Sequence, residues 1–241
     1  MWSVFKKELY QFFGNLSGYI AIVLFLLVTG IFLFVLRDSN VFDDGYATMD
    51  KFFDLAPWVL LFMIPAITMR SFSDEFRSGT FEILKTRPLS NRQIVVGKYL
   101  SVLVVLLFVI APTLLYVFSL KMLSASHQVD SGGITGSYIG LFFLGAVFGS
   151  IGVCSSSLTN NAVVAFLIAS FLCLTIYFGF NAISKLPVFE GGADYYIEMF
   201  GIDFHYKSMS RGLLDGRDVI YFLSNIFLFL LITIKRLQKR Q

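Results

Sequence analysis

Few side chains in this 241-residue chain are of a kind that does covalent chemistry, and their spacing keeps them apart. His127 and His205 are the two histidines, and neither has Cys or carboxylate neighbours at metal-ligand spacing. Each reads as a solvated loop histidine. Cys154 and Cys173 fall inside apolar runs as inert packing residues, so neither a disulfide framework nor thiol chemistry is indicated. Gly97-Lys98 lacks the earlier glycine of a P-loop and is followed by Tyr99, so the chain does not cradle nucleotide phosphates in that way. No nucleophile constellation and no intramembrane metalloprotease motif is visible. What remains is charge. Residues 74–98, DEFRSGTFEILKTRPLSNRQIVVGK, carry Arg77, Lys85, Arg87, Arg92 and Lys98, with Arg70 just ahead. Such a cluster either fixes orientation in a membrane or docks a partner.

The turn chemistry of this segment decides how ordered it is. Gly79 breaks the chain and Thr80 is the expected N-cap of a short helix. Glu82 then sits in the first turn, where the helix dipole favours an anion. Pro88 ends that helix or lies beyond it. Ser90 and Gln93 have capping-box spacing, which predicts a second helix from near Asn91 running past Lys98 into apolar sequence. A short helix, a proline turn and a new helix make a compact knob. A solvated basic loop that only sets orientation is the competing reading, and orientation needs charge but not turn chemistry.

The elements around the knob read as membrane. Of all residues 56% are hydrophobic and 15% charged, far from a soluble globular composition, and a net charge of +3 does not suggest nucleic acid. Over 2–16, Trp2, Phe5, Leu9, Phe12 and Leu16 recur at spacings of three and four, opposite Lys6, Lys7, Glu8 and Gln11. This predicts an amphipathic helix in the membrane interface; a signal peptide fits poorly, because the next apolar run is long and has no small-residue cleavage site. A span needs ~20 apolar residues, and spans are expected at about 18–36, 55–72, 99–120, 138–155, 162–182 and 219–235. The stretch between Asp130 and Lys185 has no charge for 54 positions, enough for two crossings, with the break placed in the 155–161 turn. Pro57, Pro65 and Pro112 predict kinks. Gly145-x-x-x-Gly149 allows close helix approach, with intramolecular packing the more economical reading and dimerisation the other. An aromatic-rich segment at 185–218 suits amphipathic helices at the far interface. The chain is thus expected to be one all-α membrane domain over 1–241.

Counting charge orients it. With both termini inside, the inner segments hold twelve basic and four acidic residues; the outer segments, including Arg37, Asp38, Asp43 and Asp44, hold seven and twelve. Six spans with cytoplasmic ends therefore satisfy the positive-inside rule. No charged residue lies inside the expected spans, whose ends alone reach Arg70 and Lys235, whereas proton- or ion-coupled carriers keep such groups there. Energy must come from elsewhere.

Glu75-x-Arg77-Ser78-Gly79-Thr80-Phe81-Glu82-x-Leu84, then Pro88-Leu89-Ser90, then Val96-Gly97-Lys98, resembles the signature of ABC-2 type transporter permeases, with Phe81 where leucine is commoner. The resemblance implies that 74–98 is a coupling segment contacting a separate ABC ATPase, and that Glu75, Arg77, Gly79, Thr80, Phe81, Glu82, Leu84, Pro88 and Ser90 form the coupling site. It also implies that ATP and Mg reside on that partner, with no cofactor in this chain, and that two permease chains assemble as a homodimer or heterodimer. The opening Met1-Trp2-Ser3-Val4-Phe5-Lys6-Lys7-Glu8-Leu9 and the segment 204–222 are similar to permeases associated with bacterial gliding motility. In that segment His205, Arg211, Gly212, Asp215 and Asp218 are the marked positions. This narrower likeness implies a bacterial inner-membrane complex with a companion gliding-associated membrane subunit. A membrane scaffold that assembles an ATPase-containing complex without moving anything is the other reading; nucleotide turnover that depends on this chain and on a transported molecule separates the two.

Overall fold

The computed structural model describes residues 1–36, 48–86, 88–123, 130–189, 192–212 and 215–239, with Ser17 by its backbone alone. Arg37, Asp38, Asp43 and Asp44 of the acidic loop, Arg87, His127 and Arg240 lie outside the described residues. The described chain is helical throughout. In order the helices are α1 (Trp2–Phe13), α2 (Leu16–Phe34), α3 (Asp50–Thr68), α4 (Arg70–Arg77), α5 (Thr80–Lys85), α6 (Asn91–Ile110), α7 (Leu114–Leu123), α8 (Ser131–Leu158), α9 (Ala162–Leu174), α10 (Phe180–Ser184), α11 (Ala193–Glu198), α12 (Ile202–Ser210) and α13 (Gly216–Lys239).

Five stretches are long and apolar enough to cross a membrane: Asp50–Arg77, Asn91–Leu123, Ser131–Leu158, Ala162–Ser184 and Gly216–Lys239. A sixth arises if α1 and α2 are taken together; they meet at an elbow bent by 64°. The protein is therefore an all-α, multi-spanning membrane protein. The amphipathic α1 is shorter than expected, ending at Phe13, and its one buried side chain, Val4, packs on α6. Helices α3 and α4 form one 28-residue stretch, so the chain runs helically through Pro57 and Pro65 and on into charged sequence. Pro112 resolves differently: it sits in a 3-10 turn over Ala111–Thr113 between α6 and α7, which absorbs the missing amide.

Helix α8 is the centre of the bundle, packed by α3, α4, α6, α9, α12 and α13. Its glycines explain how six neighbours come so close. A Cβ added at Gly145 would lie 2.7 Å from Leu106 on α6, and one at Gly149 would lie 2.9 Å from Val102. At Gly152 it would fall on Thr68 Oγ1 of α3. The Gly145-x-x-x-Gly149 pair is thus filled from within the chain. One correction concerns the turn after α8. Ser155, Ser156 and Ser157, expected in the loop, are buried in the last helical turns, and the break is confined to 159–161, where Asn161 caps α9 by accepting from Val163 N at 2.9 Å. A serine run inside an apolar helix reads as a loop because serine is a weak helix former; here tertiary contacts outweigh that preference.

Candidate functional site

Two polar constellations stand at opposite ends of the bundle. At the end carrying α1 and the last turns of α13, the segment after α4 folds as a knob. Gly79 takes φ +71°, a left-handed angle that a side chain resists, and lets α5 start at Thr80. Gly79 itself is the N-cap residue, and Thr80 Oγ1 lies 2.9 Å from Ser78 Oγ. Ser90 and Gln93 form the capping box of α6: Gln93 N donates to Ser90 Oγ at 3.3 Å and Ser90 N to Gln93 Oε1 at 3.1 Å. Beneath the knob, Phe72, Phe81, Ile94, Val95, Val102, Val153 and Leu237 make a small apolar core, with Leu84 and Leu89 against it. Phe81 and Leu84 therefore face inward and fix the knob. Arg77, Gly79, Thr80, Glu82, Pro88 and Ser90 are exposed.

Glu75 also faces inward, and it leads to a hub that sequence reading missed. Lys98 is fully buried, and its Nζ lies 2.7 Å from Glu8 Oε1 of α1, 3.1 Å from Glu75 Oε1 of α4 and 2.6 Å from the Ser71 carbonyl. Lys7 reaches the same Glu75 oxygen at 2.6 Å. Two carboxylates and two ammonium groups thus balance, and the Lys98 ammonium also sits 4.9 Å over the Phe72 ring. Such a charge tolerates burial only when paired and hydrogen-bonded. The neighbouring Gly97 makes the pairing reachable: a Cβ there would lie 3.0 Å from Met1 O and 3.2 Å from Val4 Cβ, so its absence lets α1 lie against α6. The signal in the sequence was the Gly97-Lys98 pair read together with Glu8, ninety positions away.

A second missed residue is Ser156. Its hydroxyl accepts from Phe72 N at 2.8 Å and Ser73 N at 3.1 Å and donates to Met69 O at 3.0 Å. It closes the junction of α3 and α4, whose first amides have no helical partner. Replacing it by alanine is expected to cost about 1–3 kcal/mol, the penalty for orphaned buried groups. Amide exchange at Phe72 and Ser73 should accelerate in Ser156→Ala and not in Ser156→Thr; equal protection in both would show the hydroxyl is dispensable.

The knob is flanked by two recesses. One, of about 600 Å³, runs between Ser3, Val4 and Lys7 of α1 and Thr80, Ile83 and Leu89. The other, about 750 Å³ and open, lies between Arg77 and the turn at Leu158, Thr159, Asn160 and Asn161. The 74–98 segment and the α8–α9 turn therefore present one continuous surface.

At the opposite end, α12 packs on α8 and α13. His205 is buried rather than solvated, which corrects the sequence reading. Its Nδ1 lies 2.7 Å from Asp218 Oδ1, its Nε2 lies 2.9 Å from the Met199 carbonyl, and its ring stacks on Tyr221 at 3.9 Å. A histidine among loop charges looks solvated in sequence, because the partner that buries it comes from the next helix. Asp215 accepts from Arg217 N at 3.0 Å and so turns the chain into α13. Gly212, at φ +80°, packs against Gly133 at the start of α8; Arg211 is exposed. The Tyr206 hydroxyl donates to Phe53 O at 2.7 Å, and burial pushes its phenol well above the usual range. Of the five marked residues, the structure brings together only His205 and Asp218.

Among the described residues no group of three or more His, Cys, Asp or Glu side chains could hold a metal ion. A bundle of membrane-length helices with a folded polar knob at one end defines a multi-pass membrane protein. Residues 2–193 match the profile of the ABC-2 family transporter proteins, and the chain belongs to that family. Members of that family are membrane permeases that pair with a separate ABC ATPase. No curated protein matches the chain.

Proposed function

We propose that this chain is the permease subunit of an ATP-driven ABC-2 exporter, coupled to its ATPase through the 74–98 knob. The single observation that carries the reading is the knob's construction: an exposed rim of Arg77, Thr80, Glu82 and Ile83 stands on an apolar core and a buried ion hub. A rigid projection fixed to three helices can pass on a rigid-body movement, and a disordered loop cannot. On this reading the knob and both termini are cytoplasmic, which the charge count supports. The ATPase seats over Glu82 and the recess beside Arg77. The functional unit holds two permease chains, or one with a companion membrane subunit. The likeness of 1–9 and 204–222 to gliding-associated permeases supports a bacterial inner-membrane complex linked to that motility.

The test is co-purification of the ATPase with Glu82→Lys and Gly79→Val variants that insert normally. Glu82→Lys reverses charge at a contact that excludes water on binding, where truncating or reversing a pair costs roughly 2–5 kcal/mol. A Cβ added at Gly79 meets no neighbour within 4 Å, so the backbone strain of φ +71° is the effect expected of Gly79→Val. Retained ATPase should fall at least about tenfold in Glu82→Lys, a shift of about 1.4 kcal/mol or more. If both variants keep the ATPase while changes at 159–161 remove it, docking belongs to the α8–α9 turn instead.

A further inference from the structure

The elbow between α1 and α2 opens a cleft that none of the contacts above fills. It holds about 340 Å³, within the roughly 300–1,000 Å³ of small-molecule sites. Its walls grade in polarity. Gln11 of α1 with Arg70 and Asp74 of α4 line one end; Ala66 and Ile67 of α3 with Val105 of α6 line the other. Helix α3 is uncharged from Leu55 onward and α4 is charged, so the gradient runs along the axis of a membrane-length helix. A bilayer passes from headgroup to acyl chain along the same direction.

The rim charges select among lipids. Arg70 and Asp74 are four residues apart on one helix, yet neither forms an ion pair with the other or with any other described residue. Glu8, the third charged group at the rim, is already held by Lys98. An unpaired guanidinium and an unpaired carboxylate one helical turn apart match a phosphate and an ammonium carried on one molecule. We infer that the cleft binds a zwitterionic aminophospholipid of the phosphatidylethanolamine class. Its phosphate lies at Arg70, its ammonium donates to Asp74, and one acyl chain follows Ala66, Ile67 and Val105. Asp74 repels lipids whose headgroup carries only negative charge. Asp74 also opens the 74–98 segment, but the lipid contact is argued without the ATPase and its test needs no partner.

The experiment is native mass spectrometry of the protein released from bilayers of equal parts phosphatidylethanolamine and phosphatidylglycerol. The wild type should retain the first in at least tenfold excess. Asp74→Asn should bring the ratio near parity, because the phosphate contact stays and the repulsion goes. Arg70→Ala should lower total retained lipid, and Ala66→Phe should remove it by blocking the chain while both charges remain. Arg70 and Ala66 are exposed and Asp74 half-buried, so each variant is expected to unfold at the wild-type temperature. Arg236→Ala, an exposed cation outside both the cleft and the knob, should change nothing. Equal retention of both lipids by the wild type would overturn the inference, as would unchanged lipid in Arg70→Ala and Ala66→Phe. Displacement by millimolar glycerophosphoethanolamine, the headgroup without chains, would show that the site reads a soluble phosphoamine and not a lipid.

Discussion

Replacing Lys98 by methionine is expected to destabilise the folded protein by about 3–5 kcal/mol, the cost of breaking a buried ion pair from one side. The side chain is fully buried and serves two carboxylates and a carbonyl. Methionine has a similar reach and fills the same space, so the loss comes from charge. Glu8 would be left mostly buried without its cation, and Glu75 would keep only the half-exposed Lys7. Thermal unfolding of the purified protein should fall on the order of 10 °C. Removing all the stranded charge should restore most of the loss, because apolar or neutral replacements of a whole buried network are often neutral. Lys98→Met with Glu8→Gln and Glu75→Gln tests this. A single Lys98→Met variant that unfolds at the wild-type temperature would show the hub is not stabilising.

The second large effect is expected at Gly152. Its Cβ position coincides with Thr68 Oγ1, and the Thr68 hydroxyl is itself fixed by donation to Ile64 O at 2.8 Å. Gly152→Ala must therefore force α8 from α3, and overpacking of this kind costs about 1–3 kcal/mol, occasionally more. Gly145→Ala should cost less, because the atoms it meets are the terminal methyl groups of Leu106, which can turn aside. Adding Thr68→Ala to Gly152→Ala removes the blocking oxygen and should recover part of the loss. Unfolding temperatures in the order Gly145→Ala above Gly152→Ala, with partial rescue in the double variant, are the expected result. The reverse order would mean α8 and α3 separate easily.

What could be read from the sequence follows the range of the interactions involved. The capping box at Ser90 and Gln93, the turn at Gly79 and the end of α5 before Pro88 depend on residues within a few positions of each other, and each was legible. So were the apolar runs, since a membrane-length helix is a property of one continuous stretch. Lys98 was not. A lysine at the start of an apolar run looks the same whether it faces water or an interior, and Glu8 and Glu75 lie on other helices. Ser156 looked like a loop residue until Met69 and Phe72 were brought to it. His205 looked solvated until Asp218 and Tyr221 arrived from α13.

The hub has a mechanical meaning. One nitrogen atom pins α1, α4 and α6 at a single point, so those three helices turn together about it. Among the described residues the adjoining elbow at Gly14 and Asn15 shows no such pin; the Asn15 side chain donates to the Gln11 carbonyl, within the same turn. Torque applied at the knob thus meets a stiff joint first and a compliant one next. The angle between α1 and α2 is where the strain would be taken up, and the lipid cleft lies in that angle.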